Sequence, residues 1–269
     1  MILEEKLEQA AKLLASSRYG LALTGSLLAK EAGIPNFRQA TLSGCGCGCS
    51  GHDQGECQQD CQEDCSQIEE LTLGNLKDHP QNIYKICFAL LQAISQAKPT
   101  SGYRVLAHLE QMNLLKRLIT ENVDSLHQVA GTQKILEIYG NMRGSNCLQC
   151  HHRLGIAELV AKIQKKEMPP RCPECGGILK PNLTFNDEKL PPDFMIAQEE
   201  VAKADLLLVV GSDLQIPASR NLANNAGKLV IINSQPTPFD SKAEIVINGE
   251  IGQILDSLWE KTQEGLGLI

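Results

Sequence analysis

The sequence has few aromatic residues, fewer basic than acidic side chains and no long hydrophobic run. Phenylalanine, tyrosine and tryptophan make up 4% of its 269 residues, and the formal net charge is −7. Few rings are therefore available to stack on bases, and the charge opposes binding to phosphates, so we expect no nucleic-acid partner. No apolar segment approaches the ~20 residues that a membrane-spanning helix requires, so we expect no membrane partner either.

The N-terminal segment lacks the pattern of a secretory signal. It reads MILEEKLEQAAKLLASSRYG, with acidic residues and helically spaced apolar residues, whereas a signal has a basic segment followed by a continuous apolar one. We therefore expect a cytoplasmic protein. Thiols stay reduced in that compartment, and clustered cysteines there bind metal more often than they form disulfides.

Short apolar segments alternate with amphipathic ones along most of the chain. We predict strands at GLALTG, LKRLIT, DLLLVVG, KLVIIN and AEIVING, with helices between and after them. This alternation is typical of an α/β fold with a Rossmann-like, doubly wound parallel sheet. Ligands of such sheets bind at the carboxyl ends of the strands, where TGS, TEN, VGSD and IINS lie.

Two C-x-x-C pairs predict a small inserted zinc-ribbon domain. They are Cys147 with Cys150, and Cys172 with Cys175. Each pair forms a tight turn that directs two thiolates at one ion, and two such turns complete the tetrahedral shell of structural zinc. A redox dithiol is the weaker alternative, because a thioredoxin-type motif is a single pair.

A second group of cysteines lies in the glycine- and acid-rich stretch CGCGCSGHDQGECQQDCQEDC. Its thiols belong to Cys45, Cys47, Cys49, Cys57, Cys61 and Cys65. Thiolates so close together repel one another unless a cation neutralises them, so we expect a second metal or cluster here. A polynuclear zinc or copper site, an iron–sulfur cluster using four of the cysteines, and a reduced loop without a specific metal remain open.

Several motifs follow one another in an order that resembles a known family. They are TGSLLAKEAGIPNFR, TENVDSLHQVAG, EIYG, PNLTFNDEKLP and VGSDLQIPA. They resemble, in turn, the motifs T-G-A-G-I-S-x-x-S-G-I-P-D-F-R, T-Q-N-I-D-x-L-H-x-x-A-G, E-L-H-G, P-x-x-V-x-F-G-E-x-L-P and G-T-S-L-x-V-x-P-A of the sirtuins. Sirtuins are NAD-dependent protein lysine deacylases built from a Rossmann-like domain and a zinc ribbon. The resemblance covers nearly the whole chain except the cysteine-rich stretch.

The resemblance implies a small-molecule nucleotide ligand, NAD or an ADP-ribose-type molecule, and an acyl-lysine protein substrate or a partner protein. Matched positions imply that the ligand is held by Gly25, Ser26, Phe37, Arg38, Asn122, Asp124, Gly211, Ser212 and Asn233. Among these, Asn122 and Asp124 are also implied in catalysis. The alternative role for such residues is turn and capping chemistry at the ends of strands.

The chain departs from the family at positions that carry the chemistry. Tyr139 replaces the histidine of E-L-H-G, which in the family is the general base that activates a ribose hydroxyl. A phenol with a pKa of about 10 is a poor base near neutrality, and losing a positioned base costs on the order of 10²- to 10⁴-fold in rate. Leu27 replaces a glycine of the cofactor loop, and Asn186 and Asp187 align with the substrate-side Phe-Gly unless a shifted alignment uses Phe185.

These departures leave three functional hypotheses. The first is a divergent sirtuin with weakened or altered chemistry which, if active, is an NAD-dependent protein deacylase or ADP-ribosyl transferase. The second is a noncatalytic, sirtuin-like sensor, and the third is a metal-handling protein that uses the cysteine-rich site. We expect Rossmann-like segments at 1–40, 81–144 (with a helical segment) and 192–269, a cysteine-rich insertion near the cofactor site at 41–80, and the zinc ribbon with the substrate-side segment at 145–191.

Overall fold

The computed structural model describes residues 2–35 and 71–268. Helices alternate with strands as the apolar pattern predicts. The strands are β1 (Gly20–Thr24), β2 (Arg117–Thr120), β3 (Ile135–Glu137), β4 (Gly140–Cys147), β5 (Arg153–Gly155), β6 (Leu179–Leu183), β7 (Leu206–Val210), β8 (Lys228–Asn233) and β9 (Ile245–Asn248). The helices are α1 (Leu3–Ser16), α2 (Ser26–Glu31), α3 (Leu73–Asp78), α4 (Pro80–Gln96), α5 (Ser101–Gln111), α6 (Leu126–Ala130), α7 (Ile156–Gln164), α8 (Pro192–Val201), α9 (Pro217–Asn225) and α10 (Ile251–Gly265).

The larger sheet has six strands in the order β3-β2-β1-β7-β8-β9, and each neighbouring pair is parallel. The central strands β1 and β7 are buried at every residue, which is why they read as continuous apolar runs rather than alternating ones. The predicted α/β fold with a parallel sheet is confirmed. Because the strand order reverses direction between β1 and β7, the fold has its topological switch point there.

Amphipathic helices cover the sheet. On α1, the buried residues Leu7, Ala10, Ala11 and Leu14 lie at helical spacing on one face, and α1 packs against the long C-terminal helix α10. This spacing gives the helix an apolar stripe that is removed from water by packing. Within the described ranges 2–35 and 71–268, no helix is long and apolar enough to cross a membrane.

A smaller antiparallel sheet, in the order β5-β4-β6, forms between β3 and β7 in the sequence. The chain enters it at Gly140, which has a φ of +74°. A Cβ atom there would lie 2.0 Å from the carbonyl oxygen of Asn182, so both the backbone conformation and the close approach of β6 require glycine. Cys147 ends β4, and Cys150, Cys172 and Cys175 lie in the connections between the elements of this small sheet.

Candidate functional site

The carboxyl ends of β1 and β7 lie side by side at the switch point. Gly25, which follows β1, packs against the residues after β7, and Gly211, which follows β7, packs against α2. The Gly25 amide donates to the carbonyl of Val210 at 3.0 Å, and the Leu27 amide donates to that of Gly211 at 2.9 Å. A Cβ on Gly25 would stand 2.6 Å from Ser212 Cα, and Gly211 has a φ of +66°. The sequence motifs around Gly25 and Gly211 are thus brought together, and the site wall they form has no room for side chains at either position.

The polar residues at these strand ends bind the backbone of their neighbours. The Asn122 side-chain amide donates to the Gly25 carbonyl, and that of Asn233 donates to the Ser212 carbonyl, both at 3.1 Å. The Ser212 hydroxyl accepts from the Leu214 amide. These contacts are the turn chemistry that residues of this kind provide, and they place Asn122, Ser212 and Asn233 at one edge of the sheet.

Asp124 is a buried carboxylate at the same edge. Its Oδ1 accepts from the Leu126 amide at 2.8 Å, and its Oδ2 accepts from the Tyr103 hydroxyl at 3.4 Å. Burial raises the pKa of Asp124 from 3.8 to about 6, although the two hydrogen bonds act in the opposite direction. The position therefore holds a carboxyl group that exchanges its proton closer to neutrality than an ordinary aspartate does.

His127 lies beneath the ends of β1 and β2 and is fully buried. Its Nε2 is 2.9 Å from the Thr24 hydroxyl, which in turn donates to the Thr120 hydroxyl at 2.9 Å. The Tyr103 ring lies 4.5 Å from its ring centre. Burial lowers the pKa of His127 to about 3, so the imidazole is neutral at physiological pH and packs as a structural residue.

Tyr139 lies between the two sheets and is 4% exposed. Its carbonyl accepts from the Thr184 amide at 2.9 Å. The neighbouring Ile138 amide donates to the Thr120 carbonyl, so the EIYG turn joins the end of β2 to the small sheet. The structure thus places Tyr139 at the same edge as Asn122 and Asp124.

A hydrogen-bonded carboxylate adjoins Tyr139, and the sequence analysis did not identify it. Glu137 is 7% exposed and forms a bidentate pair with Arg143, with N–O distances of 2.5 and 2.6 Å. Gln128 and Asn141 each donate a further bond to it, and Arg143 also donates to the Ser125 hydroxyl. These hydrogen bonds connect α6 to the EIYG turn. The motif EIYG contains Glu137, but no sequence pattern indicates that Arg143 pairs with it.

The remaining members of the cofactor loop are divided between described and undescribed residues. Ser26 begins α2 directly after Gly25. Leu27 is 8% exposed and belongs to the hydrophobic core, so its side chain is buried rather than projecting over the strand ends. Phe37 and Arg38 lie outside the described residues.

The substrate-side segment directs its aromatic ring into the core. Phe185 is 2% exposed, and the Lys180 ammonium lies 4.4 Å from its ring centre. Asn186 and Asp187 are exposed, and both carboxylate oxygens of Asp187 accept from the Leu73 amide at the start of α3, at 3.0 and 2.9 Å. The described contacts therefore place Phe185 in a packing role and Asp187 in a capping role.

The thiols of Cys147, Cys150, Cys172 and Cys175 form a compact cluster in the small sheet. All four sulfurs lie within 4.8 Å of one another, with 3.5 Å between those of Cys147 and Cys175 and 3.7 Å between those of Cys150 and Cys172. Zinc–sulfur bonds of ~2.3 Å in a tetrahedron require sulfurs about 3.8 Å apart. The donor set therefore fits structural zinc. The other predicted metal ligands, Cys45, Cys47, Cys49, Cys57, Cys61 and Cys65, lie outside the described residues.

Known proteins resemble this chain over nearly its whole length. The NAD-dependent protein deacetylase 2 of Caldanaerobacter subterraneus subsp. tengcongensis is 33% identical over 252 residues, which cover 94% of each chain. The NAD-dependent protein deacylase 2 of Archaeoglobus fulgidus is 32% identical over 267 residues, covering 97% of this chain and 98% of its own.

Solved structures agree with these relatives. A Sir2 protein bound to a propionylated peptide is 27% identical, with a TM-score of 0.78 and complete coverage of both chains. A Sir2 protein with a histidine-to-tyrosine mutation, solved with a p53 peptide and NAD, is 28% identical with the same TM-score and coverage. The pattern of the Sir2 family matches residues 25–218. Sequence, fold and zinc-type cysteine cluster agree, and the chain belongs to the Sir2 family, the sirtuins.

Proposed function

We propose that this chain binds NAD or an ADP-ribose-type ligand at the carboxyl edge of the large sheet and acts as an NAD-dependent deacylase or ADP-ribosyl transferase with weakened or altered chemistry. The observation that carries the proposal is the burial of Tyr139 in the EIYG turn, whose Ile138 amide bonds to the end of β2, the strand that Asn122 and Asp124 follow. The residues proposed to bind the ligand thus lie at the same sheet edge as a tyrosine that stands where the family has its histidine.

Ligand binding is supported by the donor and acceptor groups that converge at the switch point. Nucleotides bind at such points in doubly wound sheets, and Gly25, Asn122, Gly211, Ser212 and Asn233 lie there. The burial of Leu27 in the core leaves the glycine-lined edge clear of its side chain. We therefore assign the ligand to this edge; the resemblance also implies Phe37 and Arg38 as ligand-binding residues, and both lie outside the described residues.

An acyl-lysine protein is the proposed substrate. Sir2 relatives have been solved with a propionylated peptide and with p53 peptides, and one was solved with 2'-O-acetyl-ADP-ribose and a deacetylated p53 peptide. When bound, NAD would supply the ribose carbon that accepts the acyl oxygen as nicotinamide leaves. The chain itself would orient the two ligands at Asn122 and Asp124 and would lack an efficient proton acceptor at Tyr139.

Zinc in the four-cysteine cluster would hold the small sheet in shape. A structural ion contributes folding free energy to a module too small to have a large core of its own. A reducing compartment such as the cytoplasm would keep its thiols available for the ion.

The test compares wild type with Tyr139→His and Tyr139→Phe. Isothermal titration with ADP-ribose should give binding in all three proteins. Completed deacylation of an acyl-lysine peptide should be slow in wild type and equally slow in Tyr139→Phe. It should rise on the order of 10²-fold in Tyr139→His, because a positioned base is restored.

Absence of ADP-ribose binding in a zinc-loaded, folded protein would refute the proposed function. Binding in all three proteins, without turnover in any of them, would instead identify a noncatalytic ligand-binding sirtuin. A large loss of turnover in Tyr139→Phe would show that the phenol itself takes part in the reaction.

A further inference from the structure

Lys180 is a lysine whose charged group is almost entirely withdrawn from water. It lies on β6 of the small sheet, and its side chain is 9% exposed. The ammonium donates to the carbonyl of Pro181 at 3.1 Å and to that of Leu183 at 2.6 Å, and it lies 2.8 Å from Glu188 Oε2. Lysine is rarely buried without partners, and here each partner belongs to the segment that follows it in the chain.

These contacts fold residues 181–188 around one charge. We call this stretch the 181–188 segment. Glu188 Oε2, which pairs with Lys180, also accepts from the Phe185 amide at 2.8 Å, and the Phe185 ring packs against the ammonium. The ladder between β4 and β6 ends at the pair of Gly140 and Leu183. The Lys180–Glu188 pair holds the residues that follow Leu183 close to β6.

The 181–188 segment supports two parts of the site. The Thr184 amide donates to the carbonyl of Tyr139, which fixes the backbone of the residue at the base position. The Asn186 amide donates to the carbonyl of Leu71 at 2.8 Å, and the Asp187 carboxylate caps α3 at Leu73. A change in the path of this segment would therefore move Tyr139 on one side and the start of α3 on the other.

We propose that Lys180 is a positioning residue, which fixes the 181–188 segment and through it the acyl-peptide side of the site. The proposal rests on the proposed function in one respect: the ligand affected is the acyl peptide. Lys180 acts through its contacts with the 181–188 segment. Its side chain is buried, and a hydrogen-bonded ion pair shielded from water is electrostatically stronger than one at the surface. The nucleotide side, at Gly25, Gly211 and Asn233, has no direct contact with it among the described residues.

The test uses three variants of the full-length, zinc-loaded protein. Lys180→Met keeps the length of the side chain and removes its charge, whereas Lys180→Arg keeps the charge and the donors. Lys162→Met is the matched control, because Lys162 forms an ion pair with Glu167 in the same module at 3.1 Å, away from the segment. Each protein is measured by hydrogen exchange over residues 181–188, by titration with an acyl-lysine peptide and by titration with ADP-ribose.

For Lys180→Met we expect faster exchange over residues 181–188 and about tenfold weaker acyl-peptide binding, which corresponds to about 1.4 kcal/mol. ADP-ribose affinity should stay within about twofold of wild type. Lys180→Arg should restore most of the peptide affinity, and Lys162→Met should change neither ligand's affinity. If Lys180→Met does not fold, Glu188→Gln removes the same ion pair from its half-exposed end and should give the same pattern.

Unchanged exchange over residues 181–188 in Lys180→Met, or an equal loss of peptide and ADP-ribose affinity, would overturn the positioning role. Failure of the proposed function has a different signature. In that case the wild-type protein binds no acyl peptide, while the exchange comparison between Lys180→Met and Lys180→Arg still decides whether Lys180 fixes the segment.

Discussion

Asp124→Asn should stabilise the folded protein at neutral pH although it alters a proposed site residue. Burial raises the pKa of Asp124 to about 6, which means that the fold disfavours its charged form. An asparagine is neutral at every pH, and its side-chain oxygen can still accept the hydrogen bond from the Leu126 amide. The substitution therefore removes the cost of burying a charge and keeps the helix-capping contact.

The magnitude follows from the two pKa values. A rise from 3.8 to about 6, at about 1.4 kcal/mol per pKa unit, corresponds to about 3 kcal/mol at neutral pH. Because the pKa of Asp124 is raised in the folded state, the contribution of its protonated carboxyl to the stability of the wild type is fully present below pH 4. The wild type loses that contribution as the pH rises through 6. The advantage of Asp124→Asn should thus be largest above pH 6 and should disappear near pH 4.

Thermal unfolding of both proteins from pH 4 to pH 8 measures this dependence. At roughly 2 °C per kcal/mol for a chain of this size, Asp124→Asn should melt about 6 °C higher at pH 7.5. The matched control is Asp205→Asn. Burial raises the pKa of Asp205, but hydrogen bonds from Ser17, Arg18 and Tyr19 outweigh it and hold that pKa below its ordinary value. The control should therefore destabilise the protein at pH 7.5.

A melting temperature of Asp124→Asn that is lower than that of wild type at pH 7.5, or a difference that does not shrink on acidification, would refute the reasoning. Turnover should move in the opposite direction from stability. Under the proposed function, loss of the Asp124 carboxylate should slow the reaction, as stabilising changes at active sites commonly do.

Two further predictions concern the frame around the site. Gly25→Ala should lower the free energy of unfolding by about 1–3 kcal/mol, because its Cβ would meet backbone atoms at 2.6 and 2.8 Å. Urea unfolding measures this loss. The control is Gly155→Ala, whose Cβ would meet no atom within 4 Å. Removing zinc with a chelator should lower the melting temperature and abolish acyl-peptide binding, because the small sheet loses the ion that closes it. Re-addition of one equivalent of zinc should restore both, and a chelator-treated protein with an unchanged melting temperature would contradict a structural ion.

The features that could be predicted from the sequence are those that depend on neighbours close in the chain. Each C-x-x-C turn is set by its own four residues, so the sequence alone predicts the zinc-type cluster. The apolar runs in β1 and β7 likewise indicate strands buried on both faces, because a parallel sheet exposes neither. Once the sheet is parallel, the residues after its strands must meet at one edge. That is why Gly25, Asn122, Gly211 and Asn233 could be assigned to one site.

The contacts between distant parts of the chain required the tertiary structure. A substituted glycine in the cofactor loop indicates a larger side chain but not its direction, and only the packed core shows that Leu27 is buried. The alignment left Phe185 available for an acyl tunnel, whereas packing under Lys180 places its ring in the core. The pairing of Asp187 with Leu73 joins residues 114 positions apart, which no local pattern can indicate.

The sequence by itself thus determined the family, the parallel sheet, the zinc-type cysteines and the tyrosine at position 139 of the EIYG motif, because each of these is encoded in residue type and short spacing. The tertiary structure decided how buried charges are compensated. Glu137 is paired with Arg143, Lys180 is paired with Glu188, and Asp124 is left with a raised pKa. These outcomes depend on which side chains the fold brings within hydrogen-bonding distance once water is excluded.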